Sequence, residues 1–166
     1  MRATVLGANA RLGTISSNVA NMYLLDTNVV SQLDPRRREY APQLVDWLER
    51  NGARLFLSVM TITEMDSGVA KLRRGGQQQR ADQLDGLVST ILAEFADRVL
   101  PIDIETARHV ARLGSSTFQQ PVDLPDLIIA ATAARHGLTV LTCNISEFRR
   151  LSVPCIDPLK TLPPDV

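Results

Sequence analysis

Three short apolar runs constrain this chain more than any other feature. Tyr23-Leu24-Leu25 ends in Asp26, Leu55-Phe56-Leu57 ends in Ser58, and Leu138-Thr139-Val140-Leu141 ends in Thr142. Each is bounded by turn or cap residues and is too short for a helix, so each is predicted to be a buried strand. The segments between them carry helical periodicity. Leu44, Trp47 and Leu48 share one face, with Gly52 as a stop, and Ile62, Met65, Val69 and Leu72 repeat the pattern up to Gly75-Gly76. Leu84, Leu87, Val88, Ile91, Leu92, Phe95 and Val99 form the clearest stripe, and Ile104, Ala107, Val110 and Ala111 mark a further helix. Leu127 to Ala134 is apolar all round, which predicts a central helix buried on several sides.

Strands alternating with helices specify an α/β fold, a parallel sheet covered on both faces. In such sheets ligands bind outside the carboxyl ends of the strands. Four acids fall there. Asp26 directly follows the first run, Glu64 lies in the opening turns of the helix after the second, Asp126 opens the buried helix, and Glu147 follows the third run. Crowded carboxylates repel one another, and a cation relieves the repulsion. Their hard oxygens favour Mg2+, with Mn2+ as a substitute, over zinc. Such an ion activates water and clamps the oxygens of an in-line phosphoryl displacement.

Each acid also has a plainer role open to it. Asp26 is placed to cap the helix starting at Thr27, Thr61-x-x-Glu64 fits a capping box, Asp123-x-x-Asp126 fits a cap with Pro125 near the helix start, and Glu147 alone reads as a solvated loop acid. Caps explain the acids singly; they leave unexplained why all four fall at one edge.

The remaining composition narrows the choice. At 166 residues and 45% apolar content the chain suits one domain with one ordinary core. Charge is balanced at 18 basic and 18 acidic residues, so any grip on nucleic acid rests on local patches. Arg36-Arg37-Arg38 and the group Lys71, Arg73, Arg74 and Arg80 are the two available. Aromatic content of 4% argues against extensive base stacking on any nucleic acid. Cys143 and Cys155 are too few for a disulfide framework or a zinc cluster. His136 precedes Gly137 at a predicted helix end, where a partly charged ring suits the dipole. No apolar run reaches the roughly 20 residues needed to span a bilayer. No secretory h-region is evident, so the chain reads as cytoplasmic.

Residues 1–21 contain a loosened dinucleotide motif, Gly7-x-x-Ala10-x-x-Gly13, with Ala10 where backbone must approach a pyrophosphate. Only eight residues, Thr14 to Asn21, separate it from Met22, too few for the helix such a site needs. This stretch is expected to be a disordered or peripheral extension, with the domain over 22–160 and a tail over 161–166. A phosphatase using Asp26 as nucleophile is disfavoured because position 28 is Asn rather than a second Asp.

Taken in order, Leu24-Leu25-Asp26-Thr27-Asn28-Val29-Val30-Ser31, Leu57-Ser58 with Thr61 to Glu64, Pro125-Asp126-Leu127-Ile128-Ile129-Ala130-Ala131-Thr132 and Leu141-Thr142-Cys143-Asn144 resemble the PIN domain. Gly68-Val69-Ala70 and Phe95 to Asp103 are similar to the toxin ribonucleases of the VapC family, FitB-like members in particular. The resemblance runs from Met22 to about Pro158. It implies a three-layer α/β/α sandwich with about five strands, endoribonuclease activity, neutralisation by a VapB-type antitoxin and a homodimer. It implies magnesium ligation by Asp26, Glu64 and Asp126. The fourth position is divided: FitB-like members carry Asp where this chain has Asn144, and other members place an acid where Glu147 stands. Asn144 adds no charge, so a second metal is expected to be weak.

Overall fold

The computed structural model describes residues 21–37, 41–117 and 120–165. Five strands form one sheet: β1 (Tyr23–Leu25), β2 (Leu55–Ser58), β3 (Val99–Leu100), β4 (Thr139–Leu141) and β5 (Cys155–Ile156). Their order is β3-β2-β1-β4-β5, and every neighbouring pair is parallel. Seven helices connect them among the described residues: α1 (Thr27–Val30), α2 (Pro42–Arg50), α3 (Val59–Arg74), α4 (Gln78–Glu94), α5 (Ile104–Ser116), α6 (Leu124–His136) and α7 (Ile145–Arg150).

The layers follow from the alternation of side chains along each strand. Tyr23, Leu25, Leu55, Leu57 and Leu141 join one core with Val29, Leu44, Trp47, Met65, Val69, Val88 and Ile91. Leu24 and Val140 point the other way, into a second core with Leu100, Ile129, Ala130, Ala133 and Phe148. The central strands therefore bury both faces, and α1–α4 cover one while α6 and α7 cover the other. This is the α/β/α sandwich expected. Trp47, almost fully buried, meets Tyr23 edge-on with ring centroids 5.7 Å apart, a favoured arrangement of two ring quadrupoles.

Helix α6 has the burial predicted for it, with Ile129 through Ala133 all inaccessible. Gly137 closes it at φ 68°, a left-handed conformation that a Cβ disfavours. The preceding His136 departs from expectation. Burial, then the neighbouring Arg135 charge, push its pKa down, so the ring is held towards neutrality instead of complementing the helix end as a cation.

One other expectation is corrected. The long stripe is not one helix: α4 ends at Glu94, Phe95 caps it, and Val99 pairs with Leu57 in β3. The stripe's residues lie in one core: Val88, Ile91 and Phe95 are buried, and Leu84, Leu87 and Leu92 pack against that core. At the C-terminal end, Pro163 is buried, Leu162 packs on the first core, and the Asn51 amide donates to Asp165 Oδ1 at 2.8 Å. The segment 161–165 is thus docked on the domain. Positions 1–20, including the Gly7–Gly13 motif, lie outside the described residues. Among the described residues no helix is long and apolar enough to cross a membrane.

Candidate metal centre

The sheet order reverses between β1 and β4, and the crevice at such a reversal is where an open α/β sheet binds ligands. Asp26 stands there. Its N–H still donates to Leu141 O at 3.0 Å, which keeps it in the sheet, while its side chain begins α1. It is only 3% exposed. Its Oδ1 accepts from Thr27 N–H at 2.7 Å, and its Oδ2 accepts from the Thr142 hydroxyl at 2.6 Å and the Asn28 amide at 2.5 Å. Burial raises the Asp26 pKa, and these three donors oppose the rise. Capping and a place in the site are therefore compatible roles for one carboxylate.

The Thr142 side chain, fully buried after β4, joins several parts of this corner. Its Oγ1 accepts the Asn144 N–H at 2.9 Å while donating to Asp26. Asn28 completes the junction, accepting Cys143 N–H on its Oδ1 at 3.0 Å. The β4–α7 corner is in this way fastened to the β1–α1 corner.

Glu64 reaches the same place from α3. The capping box expected with Thr61 does not form. Ser58 caps α3 instead, accepting Met60 N–H at 3.1 Å, and the Thr61 hydroxyl donates to Leu25 O at 3.2 Å. Glu64 is left for the site, where its Oε2 accepts the Thr27 hydroxyl at 2.5 Å.

Asp126 lies in the first turn of α6. Asp123, at the cap position, makes no capping bond with its side chain. The Asp126 Oδ2 accepts the Asn144 amide at 3.2 Å. Its pKa is pushed up to about 6, first by burial and then by the negative charges of Asp26, Glu64 and Asp123, with the Asn144 amide opposing. Asp26 and Glu64 therefore lie near enough to Asp126 for their charges to bear on it.

Of the two candidates for the fourth position, the structure joins only Asn144 to this group. Glu147, in the first turn of α7, is ion-paired with Arg150. The Asn144 Oδ1 faces the Ser146 hydroxyl at 3.3 Å.

The donor set is all oxygen and anionic, which suits a hard divalent cation. Asp26 Oδ1 carries a single hydrogen bond, and the described contacts leave Glu64 Oε1 and Asp126 Oδ1 without one. Among the described residues, no group of three acidic, histidine or cysteine side chains is placed so that it could hold a metal ion as it stands. The acids form an open array at a cleft.

Beside the array runs a groove of about 860 Å³ between the α1 turn and the α3–α4 pair. Thr27 and Glu64 line one part of it; Val30, Met65, Leu72, Leu84 and Leu87 supply apolar wall; Arg36, Arg37 and Arg80 bring positive charge. Part of each predicted basic cluster therefore meets the site. Arg73 does not, being held by Asp85 at 2.7 Å and Asp82 at 3.8 Å. Residue 38 lies outside the described residues.

Sequence reasoning found the acids but missed the roles of Thr27, Asn28 and Thr142. Their signal was adjacency to the acids and to Asn144, a weak cue because hydroxyl and amide residues are common at turns.

The arrangement matches a known domain. The PIN domain model matches residues 23–154. The chain belongs to the PIN-domain family. Within that family its relatives are toxins of the VapC and FitB kind. Toxin FitB of Neisseria gonorrhoeae is 35% identical over 140 residues, covering 82% of this chain and 98% of that protein. VapC ribonuclease Y4jK of Sinorhizobium fredii is 32% identical over 140 residues, covering 82% and 97%. The crystal structure of FitAcB from Neisseria gonorrhoeae has a TM-score of 0.71 at 33% identity, over 82% of this PIN-domain chain and 98% of that one.

Proposed function

We propose that this PIN-domain chain is a magnesium-dependent endoribonuclease, with Mn2+ able to substitute, and that it is the toxin of a toxin–antitoxin pair. One observation carries the reading: acids from the end of β1, from α3 and from α6 are linked at the switch point of the sheet, Thr27 bonding both Asp26 and Glu64, and Asn144 joining Asp126 to Thr142, which donates to Asp26. Kinship with a named VapC ribonuclease supports RNA as the substrate.

Asp26, Glu64 and Asp126 would hold the ion, and Asn144 orients Asp126. When bound, the ion supplies Lewis acidity and a lowered pKa for water in its shell. The residues around it do the positioning. Thr142, Asn28 and Thr27 fix the Asp26 carboxylate before substrate arrives, so little reorganisation is needed. Asp126, its pKa raised to about 6, would hold a proton that has to leave before its carboxylate could help hold an ion. Arg36, Arg37 and Arg80 neutralise phosphates on either side of the cut, as point charges suited to backbone recognition.

A nuclease of this kind needs a partner that silences it, and a VapB-type antitoxin is the partner we propose, consistent with the toxin name carried by FitB. We also propose a homodimer, through the exposed apolar side chains Ile102, Ile104 and Leu124, of which Ile104 is 79% exposed.

The test uses purified chain with structured RNA, in magnesium and in chelator. Magnesium-stimulated internal cleavage, absent from Asp26→Asn, is expected. Cleavage at the wild-type rate by that variant, or in chelator, would overturn the enzyme reading. RNA retention without any cutting would support instead a nucleic-acid-binding protein with a weak site.

A further inference from the structure

We infer that residues 161–165 form a strap that opens and closes while the rest of the domain stays folded, and that Arg54 fastens it to the start of β1. The inference concerns the edge of the sheet opposite the acids and is independent of any metal or nuclease chemistry.

Arg54 ends the short 3-10 turn Gly52–Arg54 between α2 and β2. Its guanidinium gathers four partners from distant parts of the chain. Nε donates to Asn21 O at 2.7 Å, and one terminal nitrogen donates to Asn51 Oδ1 at 2.9 Å and to Pro164 O at 3.2 Å. The other terminal nitrogen donates to the Tyr23 hydroxyl at 3.3 Å, and the group lies over the Tyr23 ring, 5.2 Å from its centroid. A planar fork with five N–H groups serves acceptors in several directions at once, which a lysine ammonium on a flexible stem does not reproduce. Asn51, buried at the end of α2, adds a second tie. Its Nδ2 donates to Trp47 O at 3.0 Å and to Asp165 Oδ1 at 2.8 Å. The ion pair of Arg50 with Asp165, at 3.6 Å, is exposed on both sides and contributes little.

The strap gains from closing but has few bonds to lock it. Leu162 packs on the core that holds Tyr23 and Trp47, and Pro163 is buried. Residues 161–165 form neither helix nor strand, and the backbone bond described for them is Thr161 N–H to Asp157 O at 3.0 Å. A small apolar contact and a few side-chain bonds therefore hold the segment, whereas Ile129 of α6 is held by a helix and a closed core. Segments held so lightly open locally, well below the free energy of global unfolding. Tyr23 carries the fastening inward, since its ring meets Trp47 edge-on at 5.7 Å. Trp47 is the single tryptophan of the chain and so reports on the closed state.

The experiment follows the methyl resonances of Leu162 and Ile129, with Trp47 emission, in the full chain and its variants. In wild type the Leu162 signals are expected to exchange with an open form faster than the domain unfolds. Arg54→Ala should raise the open population by about tenfold or more, the scale of one lost hydrogen bond to a charged group, while Ile129 keeps its position. Removing residues 161–166 should change Trp47 emission as Arg54→Ala does. The two changes combined should lower the melting temperature by less than their sum, because they break the same contact. Arg54→Lys keeps the charge but loses the fork; it should also open the strap, and it decides the matter if Arg54→Ala does not fold. Leu162 signals that stay docked in the Arg54 variants, or that move only together with those of Ile129, would overturn the inference. Additive losses of melting temperature would do the same.

Discussion

Asp26 and Asp126 are the same residue type at the same sheet edge, yet they are held in opposite ways. Asp26 is 3% exposed and receives three donors, from Thr27, Asn28 and Thr142. Asp126 is half-buried, receives one amide at 3.2 Å, and faces three negative charges. One carboxylate is fixed by its hydrogen bonds; the other is destabilised first by burial and then by repulsion. A site built this way has a rigid anchor and a responsive member. On the metal-dependent reading proposed above, the anchor would set the position of the cation and the responsive member would gain most from it.

Removing either charge should give the largest effect. Asp26→Asn and Asp126→Asn should each lower cleavage by about a hundred- to a thousandfold, the loss of several kcal/mol of charge stabilisation at tenfold per about 1.4 kcal/mol. Single-turnover cleavage rates measure it. The comparison breaks if only one of the two matters.

Thr142→Val tests the anchor. It keeps the shape but leaves a buried carboxylate one donor short, which should cost about 1–3 kcal/mol of stability and weaken Mn2+ binding. Thr142→Ser should restore both. Denaturant unfolding and Mn2+ titration together read this, and a Thr142→Val protein as stable and as metal-avid as wild type would show that Asp26 needs no anchor.

The responsive member has a pH signature. The pKa of Asp126 is raised from 3.8 to about 6, so the folded state holds its proton more tightly than the unfolded chain does. Metal-free protein should therefore lose stability as pH rises from about 4 to about 6, by an amount that solvent screening keeps modest. Asp126→Asn should flatten that part of the profile and be relatively more stable at pH 7.5. Melting temperatures across pH 4 to 7.5 in chelator provide the measurement. Added Mg2+ should stabilise wild type more above pH 6 than below it.

The smallest effect is expected at Glu147. Glu147→Gln should leave cleavage within about twofold, because the carboxylate is already bound to Arg150. A large loss would return Glu147 to the centre and weaken the contrast drawn between Asp26 and Asp126.

Much of this was legible before any coordinates. The three longer strands, the buried α6 and the acids Asp26, Glu64 and Asp126 each announce themselves locally, through apolar runs that stop at a carboxylate or through all-round hydrophobicity. Strands β3 and β5 do not, because two residues carry no periodicity and each forms only by pairing with a neighbour already in place, Leu57 with Val99 and Val140 with Cys155. Val99 accordingly continued the α4 stripe in sequence while belonging to the sheet in space.

The sequence by itself determined the layered class and the acids at its edge, since both follow from local patterns of apolar and acidic residues. Only the tertiary structure decided which of Asn144 and Glu147 turns towards Asp126, and that Thr142 and Asn28 clamp Asp26. The reason is that hydrogen bonds between Thr142 and Asp26, or Thr27 and Glu64, link residues far apart in the chain. No local pattern encodes such a pairing, because it exists only once strand order has brought the two corners together.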